Sequence, residues 1–221
     1  MQTAVGVIGL GAMGKGMAQS LRRAGHAVRV FDVRSELVED FARDGGIACA
    51  SVAALASACD VVVSVVVNAA QTEDVLFGSG GGAAAMKKGA VFVMCSTVDP
   101  HWSITLETRL AELGLLYLDA PISGGAARAA SGEMTMMTSG AAAAYAKADP
   151  VLDAMAAKVY RLGNSAGAGS KVKIINQLLA GVHIAAAAEA MALGLREGVD
   201  AAALYEVITH SAGNSWMFEN R

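Results

Sequence analysis

Two textures alternate along the first two thirds of the chain. Short apolar, β-branched runs at Ala4–Leu10, Ala27–Asp32, Asp60–Val67, Ala90–Ser96 and Leu115–Ala120 read as strands. Between them, apolar positions recur at helical spacing over Met13–Ala24, Glu36–Asp44 and Trp102–Leu113. The run "DVVVSVVV" (Asp60–Val67) is continuous rather than alternating, the texture of a strand covered on both faces. Glu133–Ser139 and Val159–Leu162 predict two further edge strands. Strands and helices in this order predict a mostly parallel, doubly wound α/β sheet.

Near Gly163 the pattern changes. "GNSAGAGS" is a loop, and helix-period sequence without an internal proline follows to about Arg196. That is roughly twice the length of an average helix. A second helix is expected at about Ala201–His210. The chain therefore divides into a sheet domain, residues 1–165, and the start of an all-helical domain, residues 166–221. The long apolar run raises a membrane question, but Asn176, Gln177, His183 and Glu189 within it would be costly in lipid, so a buried helix is expected. Ala180–Leu195 is too apolar for a helix packed on one side. It predicts packing against further helices of its own chain or against a partner subunit; the second alternative gives the expectation of a homo-oligomer. His183 reads as a core or interface residue, and Met134, Met136 and Met137 as core. "GSGGGAAAM" (Gly78–Met86) reads as a loop entering a helix.

Composition narrows the partners. The chain has 221 residues, 54% of them hydrophobic, which is enough to bury a sizeable core. A net charge of −3 with no basic block argues against nucleic acid and anionic membranes. Cys49, Cys59 and Cys95 are odd in number and form no C-x-x-C pair, so they read as reduced packing residues of a cytoplasmic protein, and no metal site is assigned. The start, "MQTAVGVIGLGAMG", lacks the cationic segment of a signal peptide.

The first chemistry-bearing motif lies in that same stretch. Gly9-x-Gly11-x-x-Gly14 follows a predicted strand, opens a predicted helix, and is followed by an acid, Asp32, at the end of the next strand. In that context the spacing predicts a Rossmann dinucleotide site. Gly9 permits the tight turn, Gly11 lets backbone approach the pyrophosphate at the helix N-terminus, and Gly14 allows helix and strand to pack closely. Leu10, Ala12 and Met13 complete the turn against the cofactor. Asp32 would bond the ribose 2′-hydroxyl and repel a 2′-phosphate, favouring NAD over NADP. Arg34, two residues on, either softens that preference by pairing with a phosphate or is a solvated surface charge. FAD and S-adenosylmethionine proteins use similar turns, and the second motif speaks against both. Ligands of such sheets bind beyond the carboxyl ends of the strands, which places Val67, Asn68, Ser96 and Thr97 near the cofactor or substrate.

The second motif has two parts. Ser123-Gly124-Gly125 follows the Leu115–Ala120 strand and offers a hydroxyl with unobstructed backbone N–H groups, suited to a carboxylate. A plain glycine turn is the alternative. "GAGSKVKIINQ" (Gly167–Gln177) then carries two lysines. On a helix Lys171 and Lys173 differ by about 200° and cannot share a face. Asn176 and Gln177, three and four residues after Lys173, do share its face, whereas Lys171 has only Ile174 and Ile175 at those spacings. A lysine is mildly unfavourable in the first turn of a helix, so Lys173 is either a solvated surface residue or is there for its chemistry.

"GLGAMGKGMA", "DAPISGGAARAASGEMTMM" and "GAGSKVKIINQ", in this order, resemble the β-hydroxyacid dehydrogenase family, which includes 3-hydroxyisobutyrate dehydrogenase and tartronate semialdehyde reductase. The resemblance covers essentially the whole chain. "VVVNAAQTEDVLFG", "KIINQLLAGVHIAAAAEAMAL" and "AGNSWMFENR" are most similar to its L-threonate-oxidising branch. The resemblance implies NAD-dependent oxidation of a small hydroxy acid, L-threonate to 2-oxo-tetronate before 3-hydroxyisobutyrate or glycerate. It implies Lys173 as catalytic acid/base, Ser123 and Gly124 on the substrate carboxylate, and Thr97 at the nicotinamide end. Gln177 stands where many members carry a second asparagine. Family members continue past the position of Arg221, so the sequence reads as C-terminally truncated. Imine reductases generally replace the lysine, a 6-phosphogluconate enzyme needs a basic phosphate pocket, and a non-catalytic dinucleotide-binding module is the alternative of another class.

Overall fold

A computed structural model describes residues 3–220. Met1, Gln2 and Arg221, the outermost residues of the two expected domains, lie outside the described residues. The chain forms two compact units, Met1–Lys173 and Ile174–Arg221.

The first unit contains strands β1 (Val5–Ile8), β2 (Val28–Phe31), β3 (Ile47–Ala48), β4 (Val61–Ser64), β5 (Val91–Met94), β6 (Leu116–Asp119), β7 (Ile122–Ser123), β8 (Met134–Gly140) and β9 (Ala156–Arg161). Its helices are α1 (Gly14–Arg23), α2 (Ser35–Arg43), α3 (Val52–Ala58), α4 (Ala69–Phe77), α5 (Pro100–Glu112), α6 (Gly125–Ser131) and α7 (Ala142–Met155). The strand order is β3-β2-β1-β4-β5-β6, all parallel, with the reversal between β1 and β4. This is the Rossmann order. Alternation along each strand feeds two layers. Val61, Val63, Val91 and Val93 pack with Met17, Leu21, Phe41 and Leu152 on one face, while Val62, Phe92 and Met94 pack with Leu55, Leu76, Leu106 and Leu110 on the other.

Three expectations are corrected. The strand at Asp60–Val67 stops at Ser64. Its neighbours end at the same level, β1 turning away after Ile8 and β5 ending at Met94, so Val66 and Val67 have no ladder to join. Glu133–Ser139 is not an edge strand. β8 lies inside the sheet, antiparallel to β6 and β7 on one side and parallel to β9 on the other. Gly78–Met86 leads only into a single 3₁₀ turn, Ala83–Ala85, rather than a helix. Met134, Met136 and Met137 are buried, as expected.

Helix α8 (Ala168–Arg196) begins in the first unit and continues into the second, which adds α9 (Ala201–Thr209) and α10 (Trp216–Asn220). By length and composition α8 could cross a membrane. The expectation of a buried helix is not met: Ile175, Leu178 and Leu179 are more than half exposed. Among the described residues, the second unit adds only two short helices to cover them.

Candidate active site

The parallel strands deliver their carboxyl ends to one edge, and the candidate residues follow from which strand ends there. The Gly9–Gly14 turn leaves β1, and its start is pinned by Gly9 N–H bonding the Phe31 carbonyl of β2 at 2.9 Å. Gly9 has φ +92°, and a Cβ there would lie 2.6 Å from the Val65 carbonyl oxygen. Gly14 is closed in as well, since a Cβ would fall on the Gly9 carbonyl oxygen. Gly11 differs, because its nearest neighbour would be the Arg34 Nη2 at 3.7 Å. Space is therefore kept above Gly11 and used up at Gly9 and Gly14. Met13, at the N-cap of α1, has no side-chain acceptor for the first helical N–H groups, which leaves them suited to an anion. Leu10 is buried and Ala12 exposed.

Asp32, one residue past β2, accepts the Leu10 N–H at 2.6 Å, which ties the second strand to the turn. Its other oxygen accepts from the Arg34 N–H at 2.9 Å and the Arg34 Nε at 3.1 Å. Burial pushes the Asp32 carboxyl up, but the bonds from Arg34 and Leu10 outweigh it and hold the group below its ordinary range. The half-exposed Arg34 is paired with Asp32. The Asp32→Ala variant should release the guanidinium. The NADP/NAD ratio of kcat/KM is expected to rise by about tenfold or more, the worth of one charge-assisted hydrogen bond. An unchanged ratio would show that Arg34 has no part in cofactor choice.

Beyond β4, Val67 and Asn68 are exposed. The Asn68 side chain caps α4, accepting the Gln71 N–H at 2.9 Å, while the Val67 N–H donates to the Gln71 Oε1 at 2.8 Å. Beyond β5, the Ser96 hydroxyl donates to the Val66 carbonyl at 2.7 Å, joining this loop to its neighbour, and Thr97 is exposed at the rim.

Ser123 belongs to β7, paired with Thr135 of β8. Gly124 and Gly125 follow with φ +139° and +79°, conformations in which a side chain would be strained. The turn therefore bares its backbone for a structural reason.

Of the two lysines, Lys173 is 7% exposed and Lys171 is exposed. Burial lowers the Lys173 amine below an ordinary lysine. Asn176 is half-buried and Gln177 exposed. Sequence reasoning gives no role to Asp119 or Ser139, which bond the start of α8. The available signal was a carboxylate closing the apolar strand "LLYLDA".

Two family models match the chain: the NAD-binding domain of 6-phosphogluconate dehydrogenase over residues 4–163, and the NAD-binding domain of NADP-dependent 3-hydroxyisobutyrate dehydrogenase over residues 167–221. An L-threonate dehydrogenase of Cupriavidus necator is 69% identical over all of this chain and 74% of its own length. One from Pectobacterium atrosepticum is 51% identical over 99% of this chain and 72% of its own. The crystal structure of a 3-hydroxyisobutyrate dehydrogenase from Salmonella typhimurium superposes with a TM-score of 0.95 at 49% identity, covering 99% of this chain and 76% of that one. With the glycine turn, the acid after β2 and the buried lysine all in one chain, these matches make it a member of the 3-hydroxyisobutyrate dehydrogenase-like family of NAD-dependent oxidoreductases.

Proposed function

We propose that this chain oxidises L-threonate to 2-oxo-tetronate, with Lys173 as the acid/base group. The observation that carries the reading is the burial of Lys173, and of Lys173 rather than Lys171, in the first turns of α8. The names of the two L-threonate dehydrogenases support the substrate. NAD, when bound at the β1–β4 edge, supplies the hydride acceptor. Gly9, Leu10, Gly11, Ala12, Met13 and Gly14 would hold its pyrophosphate, Asp32 its ribose, and Val67, Asn68 and Thr97 its nicotinamide half. In oxidation Lys173 takes the proton of the substrate hydroxyl, which requires the neutral amine that burial favours. In the reverse direction the ammonium returns it. Ser123, Gly124 and Gly125 would bind the carboxylate, and Asn176 and Gln177 would orient the remaining oxygens.

Residues 1–165 act in this reading as the cofactor domain and residues 166–221 as part of a substrate and dimerisation domain. The exposed apolar side chains of α8 support a homo-oligomer, and the unpaired cysteines a cytoplasmic protein. A second reading, 3-hydroxyisobutyrate as substrate, is favoured by the name of the Salmonella structure.

One assay separates the two. NADH absorbance is followed with NAD and L-threonate, 3-hydroxyisobutyrate or D-glycerate. The expected result is a kcat/KM for L-threonate at least about tenfold above the others, because a site built to hydrogen-bond extra hydroxyls rejects acids that lack them. A preference for 3-hydroxyisobutyrate would replace the substrate and keep the chemistry. NAD binding without turnover of any acid would favour the non-catalytic alternative.

A further inference from the structure

The geometry points to Asp119 as a positioning residue: its carboxylate clamps the start of α8 and thereby sets where the Lys173 amine stands. This rests on the reading of Lys173 as the acid/base group.

The first N–H groups of a helix need partners from outside the helix. In α8 they are met from the sheet. Asp119, the last residue of β6, is fully buried. Its Oδ2 accepts the Gly167 N–H at 3.0 Å and the Ser170 N–H at 2.9 Å, and its Oδ1 accepts the Ser170 hydroxyl at 2.6 Å. Ser139, opposite Asp119 on β8, accepts the Gly169 N–H at 3.0 Å and donates its hydroxyl to Asp119 Oδ2 at 3.3 Å. Ser139 and Ser170 are also fully buried. The sheet and the helix start touch through backbone as well, since a Cβ on Gly169 would sit 2.9 Å from the Asp119 carbonyl oxygen. A carboxylate facing three donors at a helix N-terminus is favourable both as a hydrogen-bond acceptor and as a charge. Lys173 follows Ser170 by three residues, on the same side of a rigid helix. Loss of the clamp would therefore move the amine, while leaving the β1 turn and Asp32, which belong to other strands, in place. The same strand end runs on through Ala120 and Pro121 to Ser123, so Asp119 ties the acid/base group to the expected carboxylate cradle through four residues of chain.

The test compares Asp119→Ala, Asp119→Asn, Lys173→Ala and the double variant Asp119→Ala/Lys173→Ala, with kcat and KM for L-threonate and Kd for NAD. Asp119→Ala should lower kcat by about 100-fold, the cost of displacing a catalytic group by about an ångström. Its Kd for NAD should stay within about threefold, since cofactor contacts lie elsewhere. Asp119→Asn should recover kcat to within about fivefold of the parent, because asparagine and aspartate serve alike as caps and the Ser170 hydroxyl can turn to accept from an amide. The double variant should be no slower than Lys173→Ala, because residues acting as a unit are not additive. A further large loss in the double variant would overturn the proposal, as would loss of NAD binding together with kcat in Asp119→Ala. If Asp119→Ala does not fold, Ser139→Ala/Ser170→Ala enters the same cycle, with a smaller loss and the same non-additivity expected. Near-parental turnover by Lys173→Ala would instead sink the acid/base reading, an outcome visible before Asp119 is touched.

Discussion

Lys173→Ala is expected to lose turnover of L-threonate by about 1000-fold, within the usual 10²–10⁴ contribution of a positioned acid/base group. NAD binding should be unchanged, because the lysine belongs to α8 while the glycine turn and Asp32 follow β1 and β2. Lys171→Ala, on the exposed side of the same helix, should stay within about twofold, as surface substitutions do. The pH dependence gives the sign independently. Burial lowers the Lys173 amine. Oxidation needs the neutral form, so kcat/KM should rise with pH through that lowered value and level off above it. Reduction needs the ammonium, so its rate should fall through the same value. A rising limb at the ordinary lysine position, or equal losses from the two lysine variants, would remove Lys173 from the mechanism. Stability follows the same proton. The unfolded chain binds it up to the ordinary lysine value and the folded chain only to the lowered one, so Lys173 opposes folding below that window and the opposition fades as pH rises through it. Lys173→Met should therefore be inert and no less stable at neutral pH, measured as Tm, the pattern of a residue kept for activity at a cost in stability.

The sheet and the cofactor turn were legible because they are local. A short apolar strand run, a glycine spacing and an acid after the next strand all fall within the first 32 residues. The lysine was legible because helical periodicity separates 171 from 173 whatever the helix packs on. Several elements were not read at all. α7 carries Pro150, which breaks a helix interior by rule. Here the carbonyl that loses its partner belongs to Ala146, on the exposed side. α3 and α4 are capped by Ser51 and Asn68, whose side chains accept from the Ala54 and Gln71 N–H groups. Those capping signals were present, but α4 was hidden by extending the preceding strand to Val67. The interior place of β8 could not be read, because its alternation shows one strand and says nothing of the three that pair with it. Asp119 was missed for a similar reason. Its donors are 20, 48 and 51 residues away, and no spacing along the chain announces such a bond.

Two glycines of the same turn should fail in different ways. Gly14→Ala puts a methyl group on the Gly9 carbonyl oxygen and 3.4 Å from the Val65 Cβ. Both neighbours belong to the backbone or to a short branched side chain, so neither can turn aside, and α1 has to back away from the turn. Overpacking of this kind costs about 1–3 kcal/mol. The variant should melt several degrees lower without any ligand, and its NAD Kd should rise by about 100-fold or more, because the helix N-terminus no longer meets the pyrophosphate. Gly11→Ala meets only the end of a flexible arginine at 3.7 Å, so its ligand-free Tm should match the parent within about one degree. Its NAD Kd should nevertheless rise by a comparable factor, since the added methyl occupies the space through which backbone approaches the phosphates. Calorimetric titration and thermal melts on the two variants read both quantities. Gly14→Ala with parental Tm would mean that helix and strand pack less tightly than this geometry requires. Gly11→Ala with parental NAD affinity would mean that the pyrophosphate does not lie over this turn, and the assignment of Gly9–Gly14 to the cofactor would fall with it.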